Sequence, residues 1–144
     1  MLDTTTQTIA SAGTPQVITF DTTIKADKIA VTSSSRFTVN EAGEYLINAT
    51  ASVTAGVANK IIDIWFRVNG TDVANSNSKR TIVNNEVKAL PIGGQVVTLT
   101  AGQYVEFWMN GDDTSVSLVS YAAGTTPTRP VTPSILFTIQ KIHP

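Results

Sequence analysis

At 144 residues the chain has room for one domain, long enough to bury a sizeable core without staples. A net charge of −1, with ten basic residues scattered along the chain, gives no electrostatic footprint for a phosphate backbone and excludes nucleic acid as a natural partner. The absence of cysteine removes disulfides, thiolate metal sites and thiol catalysis together.

Twenty-two threonines and fifteen valines favour a pleated, half-buried surface, and apolar residues recur at period two but never at helical spacing over three turns. An all-β domain with almost no helix is expected. The first segment, MLDTTTQTIASAGT (1–14), has one charged side chain and scattered apolar positions, so it reads as a flexible arm ahead of a domain at 15–144. It lacks the basic and apolar regions of a secretory signal, and no apolar run reaches membrane-spanning length. Synthesis in the cytoplasm, without membrane insertion, follows as an expectation.

The first strand is QVITF (16–20), followed by KIAV (28–31) and RFTV (36–39). After the turn Asn40-Glu41-Ala42-Gly43 comes the longest, EYLINATASV (44–53), with Tyr45, Ile47, Ala49, Ala51 and Val53 on one face. Gly43 permits the tight link, and the Tyr45 ring enters the core with a hydroxyl able to find a partner. KIIDIWFRV (60–68) places Ile62, Ile64, Phe66 and Val68 inward, because the other set contains Asp63 and Arg67, and Trp65 therefore faces out. Asn69-Gly70 is the chemistry of a tight hairpin, so TDVANS runs back beside it. A polar stretch (76–85) precedes EVKAL and GQVVTL, with a bend or bulge at Pro91 and Gly93-Gly94. QYVEFWMN (103–110) directs Val105, Phe107 and Met109 inward and Tyr104, Glu106 and Trp108 outward. VSLVSY (116–121), a Gly/Thr/Pro loop (123–133) and SILFTIQKI (134–142) complete about eight to ten short strands, which suit a β-sandwich.

The ordered set VITFD (17–21), RFTV (36–39), AGEYLI (42–47), VTLTAGQYVEF (97–107) and SILFTI (134–139) resembles the globular domain of C1q and tumour necrosis factor over residues 16 to 142. The resemblance implies a ten-stranded jelly-roll β-sandwich that assembles as a compact homotrimer, without catalysis. The stretches 76–85 and 123–133 match nothing in that pattern, and no collagen-like repeat precedes the domain.

Catalytic inventories are thin. The single histidine, His143, stands beside Pro144, where no rigid shell orients it, which removes a serine-histidine relay and a histidine metal site. Of the eleven carboxylates, Asp63, Glu106, Asp112 and Asp113 are the candidates for a paired-carboxylate hydrolase; a solvated face and turn chemistry account for them, as they account for NGDDTS (110–115), whose oxygens lack calcium-loop spacing. No catalytic residue, metal site or cofactor is assigned.

Two surfaces remain. Trp65, Trp108, Tyr104 and Arg67 fall on one outward face and form a candidate ligand-binding patch, since pyranose rings stack on tryptophan faces. Leu46, Asn48 and Thr50 with Leu136, Thr138 and Gln140 form a candidate trimer interface, two leucines in a polar ring suiting a face covered by a neighbour. The expected roles are a bacteriophage virion protein, on the capsid or at a fibre tip and in contact with capsid or tail proteins, or an adhesin for host-surface glycans. In the first role the arm at 1–14 would hold the particle.

Overall fold

Residues 1–144 are described by the computed structural model, and all of their regular structure is strand. In chain order the strands are β1 (Leu2–Asp3), β2 (Gln7–Thr8), β3 (Gln16–Val17), β4 (Ile29–Thr32), β5 (Arg36–Val39), β6 (Gly43–Ala55), β7 (Lys60–Val68) and β8 (Thr71–Asp72). They continue with β9 (Ser78–Ile82), β10 (Lys88–Leu99), β11 (Tyr104–Gly111), β12 (Val116–Leu118), β13 (Gly124–Thr125), β14 (Thr128–Arg129) and β15 (Ile135–His143).

Two antiparallel sheets face each other. In the first, β6 is central, with β10 on one side and β15 and β12 on the other, β1 lying outside β15 and β2 outside β12. The second runs β4, β5, β11, β7 and then β8 and β9, with β3 continuing along the β5 side of β11. The chain crosses between the two sheets at β2 to β3, β5 to β6, β6 to β7, β9 to β10, β10 to β11 and β11 to β12, which is jelly-roll connectivity. β13 and β14 form a separate small hairpin.

The alternation in the sequence sets which side is core. Tyr45, Ile47, Ala49, Ala51 and Val53 of β6, Ile62, Ile64 and Phe66 of β7 and Val105, Phe107 and Met109 of β11 are all buried. Four phenylalanines join across the sandwich, Phe37 packing on Phe137 at 4.6 Å between ring centroids, Phe107 on Phe137 at 4.8 Å and Phe20 on Phe37 at 5.1 Å. The Tyr45 hydroxyl finds its partner in the Glu41 carbonyl, to which it donates at 2.8 Å. Asn69 and Gly70 both take positive φ, 49° and 79°, and turn β7 tightly into β8. Gly43 has a reason beyond the turn: a Cβ there would lie 2.5 Å from the His143 carbonyl oxygen, so only glycine lets β15 end against β6.

Several expectations need correction. Residues 1–14 are not a flexible arm: Leu2 and Asp3 pair with Leu136 and Ile135, Gln7 and Thr8 with Leu118 and Ser117, and Ile9 is buried in the core. The buried Asp3 carboxylate accepts from Thr5 at 2.9 Å, Gln7 at 2.6 Å and Ser134 at 3.0 Å. Backbone pairing at the edges of β12 and β15 needs no amphipathic pattern, which is why this polar segment carried no signal. Only Gln16 and Val17 of the run 16–20 pair as strand, although Ile18 and Phe20 are buried. The polar stretch 76–85 contains edge strand β9, paired to β7 from Lys60 to Ile64. The bulge expected at Gly93-Gly94 is found, between Gly93 and Gln95, and β10 runs through Pro91 as one continuous strand.

Candidate functional site

The aromatic row on the outer side of the second sheet follows from the antiparallel register of β7 and β11. Trp65 stands directly opposite Trp108, and Arg67 opposite Glu106. Both tryptophans are half-buried rather than open. The Arg67 guanidinium lies over the Trp108 ring at 4.0 Å from its centroid and 5.9 Å from that of Trp65, while its Nε meets the Asp72 carboxylate at 2.5 Å. Asp72 also accepts from the Trp65 indole at 2.7 Å, and these two donors, Arg67 first, hold its carboxyl below the usual aspartate value. The Trp108 Nε1 is buried with no hydrogen-bond acceptor.

Tyr104, expected in the same patch, belongs to a second group. Arg36 of β5 covers its ring at 4.5 Å and donates through Nε to Glu106 at 3.0 Å, burying that carboxylate. Sequence parity therefore placed Trp65, Trp108, Tyr104 and Arg67 on one face, but arginine caps take the stacking surfaces of Trp108 and Tyr104. Beside Trp65 a hollow of about 210 Å³ remains, lined by Asp72, Val73, Asn75, Ser76 and Asn77.

On the first sheet the outward residues are brought together as expected. Thr50 lies between Pro91 and Leu136, Asn48 between Gly93 and Thr138, and Leu46 between Val96 and Gln140. From the Ser52 row to the Leu46 row this face carries no charged side chain. Leu136 is 44% exposed and Val96 53%, and Leu2 joins them opposite Leu136. Val96 and Leu2 were missed, the first because the bulge shifts its parity, the second because it was read as arm.

The carboxylates of the turn at 112–113 are engaged within the chain. Asp112 accepts from the Ile61 amide at 2.8 Å; Asp113 accepts from the Ser115 amide at 2.8 Å and meets Lys60 at 3.3 Å. Ser115 first and Lys60 after it keep the Asp113 carboxyl below its ordinary value.

No protein-family model and no curated protein sequence matches the chain. Among solved structures, the globular domain of zebrafish complement 1qA protein superposes with a TM-score of 0.60 at 16% identity, over 96% of this chain and 94% of that one. Rabbit GITRL is found at a TM-score of 0.37 and 14% identity, over 62% of this chain and 71% of that one. The fold is thus a C1q-like jelly roll, the architecture that the ordered strand motifs implied.

Proposed function

We propose that this protein is a non-enzymatic homotrimeric structural or accessory component of a bacteriophage particle, made in the host cytoplasm and carried on the capsid or at a fibre tip. The observation that carries self-association is the bare, charge-free outer face of the first sheet, where Leu2, Leu136, Leu46 and Val96 are ranged across four strands. The charged rows of the second sheet have no counterpart there, and a flat uncharged face that leaves Leu136 and Val96 exposed is the kind a symmetric neighbour covers. The virion setting is supported by the cysteine-free composition, and with Leu2–Asp3 and Gln7–Thr8 paired into the first sheet, attachment falls to the folded domain.

Light scattering should give about three times the 15.3 kDa chain mass. Leu136→Asp and Thr138→Arg, both at exposed positions, should leave the circular dichroism of the sandwich intact and yield monomers. A wild-type monomer at micromolar concentration would reject the trimer, and absence of the chain from purified particles by mass spectrometry would reject the virion role.

A glycan-binding role is the second reading, favoured by the hollow beside Trp65, where an indole, a carboxylate and the carboxamides of Asn75 and Asn77 meet in a volume suited to one sugar ring. Glycan-array binding abolished by Asn77→Ala would support it.

A further inference from the structure

The two sheets do not close on each other along the edge formed by β4 and β15. β6 accompanies β15 along one side. On the other side β1 pairs only with Ile135 and Leu136, and the Met1 and Phe137 backbones exchange hydrogen bonds of 3.1 and 2.9 Å. No strand follows beyond Phe137. Residues of an antiparallel strand bond alternately to either side, so the N–H and C=O groups of Ile139 and Lys141 point the same way as those of Phe137, into the gap. β4 borders that gap from the second sheet and pairs only with β5.

Between these edges lies a cavity of about 630 Å³. The core residues Phe37, Tyr45 and Phe137 form its base, and Ile29, Val31 and Ile139 line it, each only partly buried although packed against the core. Lys25, Lys28 and Lys141 stand at the cavity against two carboxylates, Asp27 and Glu41. Glu41 already holds Lys28 at 2.7 Å and Lys141 at 3.2 Å, and Lys25 has no carboxylate partner. The rim carries an excess of positive charge.

We propose that this edge accepts an extended peptide segment of another protein, added as a strand beside β15 with a large apolar side chain opposite Ile139 and an acidic one opposite Lys141. Strand addition takes affinity from main-chain hydrogen bonds and selectivity from pockets for alternate side chains. Both elements are present in register. Directly opposed residues of an antiparallel pair point to the same face, so the residue facing Ile139 enters the cavity and the residue facing Lys141 lies beside its ammonium group. A small apolar ligand would fill the space but leave the backbone groups of Ile139 and Lys141 bare.

The test is titration of the ¹⁵N-labelled full chain with an acetylated, amidated hexapeptide, Ser-Thr-Asp-Thr-Leu-Thr, running antiparallel to β15. Saturable shifts should centre on Ile139 and Lys141, and hydrogen exchange at these two amides should slow by about tenfold or more. Val31→Trp should fill the slot and abolish binding. Ile139→Pro removes an amide that the sheet itself does not use, so the fold should persist while binding falls. Replacing the peptide's Asp by Lys should weaken it more than replacement by Asn. No saturable shift at millimolar peptide, or shifts without slowed exchange at Ile139 and Lys141, would overturn the proposal. So would sodium dodecanoate occupying the cavity while the peptide is refused, which would make it a lipid-like site.

Discussion

Arg67 shows how one side chain decides what a surface can do. Its planar guanidinium is stacked on Trp108 and bonded through Nε to Asp72, a geometry that a lysine ammonium cannot reproduce. Arg67→Lys should therefore cost about 0.5–1 kcal/mol in urea unfolding and raise tryptophan accessibility to acrylamide. Trp108 predicts the opposite sign. Its indole N–H is buried without an acceptor, and such a donor costs about 1–3 kcal/mol, so Trp108→Phe should leave stability unchanged or raise it. Trp65→Phe, which deprives Asp72 of a donor, should lower it. Acid provides a separate check. The carboxyl of Asp72 is held below its unfolded value by Arg67 and Trp65, so its contribution is complete above that unfolded value and is lost as pH falls through the lower folded value. Tryptophan emission should stay constant through the ordinary aspartate range and shift only below it; Asp72→Asn should abolish that acid limb.

Strands differ in how plainly the sequence announces them. β5 and β7 were read to the residue, and β6 and β11 with their buried faces correct, because a strand with one face in the core must alternate. β1, β2 and β9 were invisible or unplaced, since short edge strands are held by main-chain bonds that any sequence can make. Parity likewise set the direction of Trp65 and Trp108 but not their exposure, which depends on Arg67 and Asp72 arriving from along the same strand and from β8. The uncharged outer face of the first sheet was legible on β6 and β15 and lost on β10, where the bulge breaks the count. Glycine positions separate the two kinds of constraint. At Gly43 an added Cβ meets a backbone carbonyl, so Gly43→Ala should cost about 1–3 kcal/mol through displacement of the β15 end. Gly94, with φ +81° but open space around it, should lose only about 1 kcal/mol on the same change.

For the molecule as a whole, the beginning and end of the chain are one structural unit. Removing residues 1–9 should lower the melting temperature sharply, because it uncovers Ser134, leaves Phe137 without its Met1 partner and takes Ile9 from the core. A mere appendage would be lost without effect.

The pairing of β1 with β15 also has a consequence in time. Leu2 finds its partner in Leu136, and the central strand β6 gains a neighbour on that side only when β12 and β15 exist. Such distant pairings are slow to form and leave apolar strands open meanwhile. A ribosome must therefore deliver the chain as far as β15 before any stable sandwich exists. Stalled nascent chains that stop short of Ile135 should remain digestible by protease, and acquire resistance together, in a single step, once the last strand has emerged.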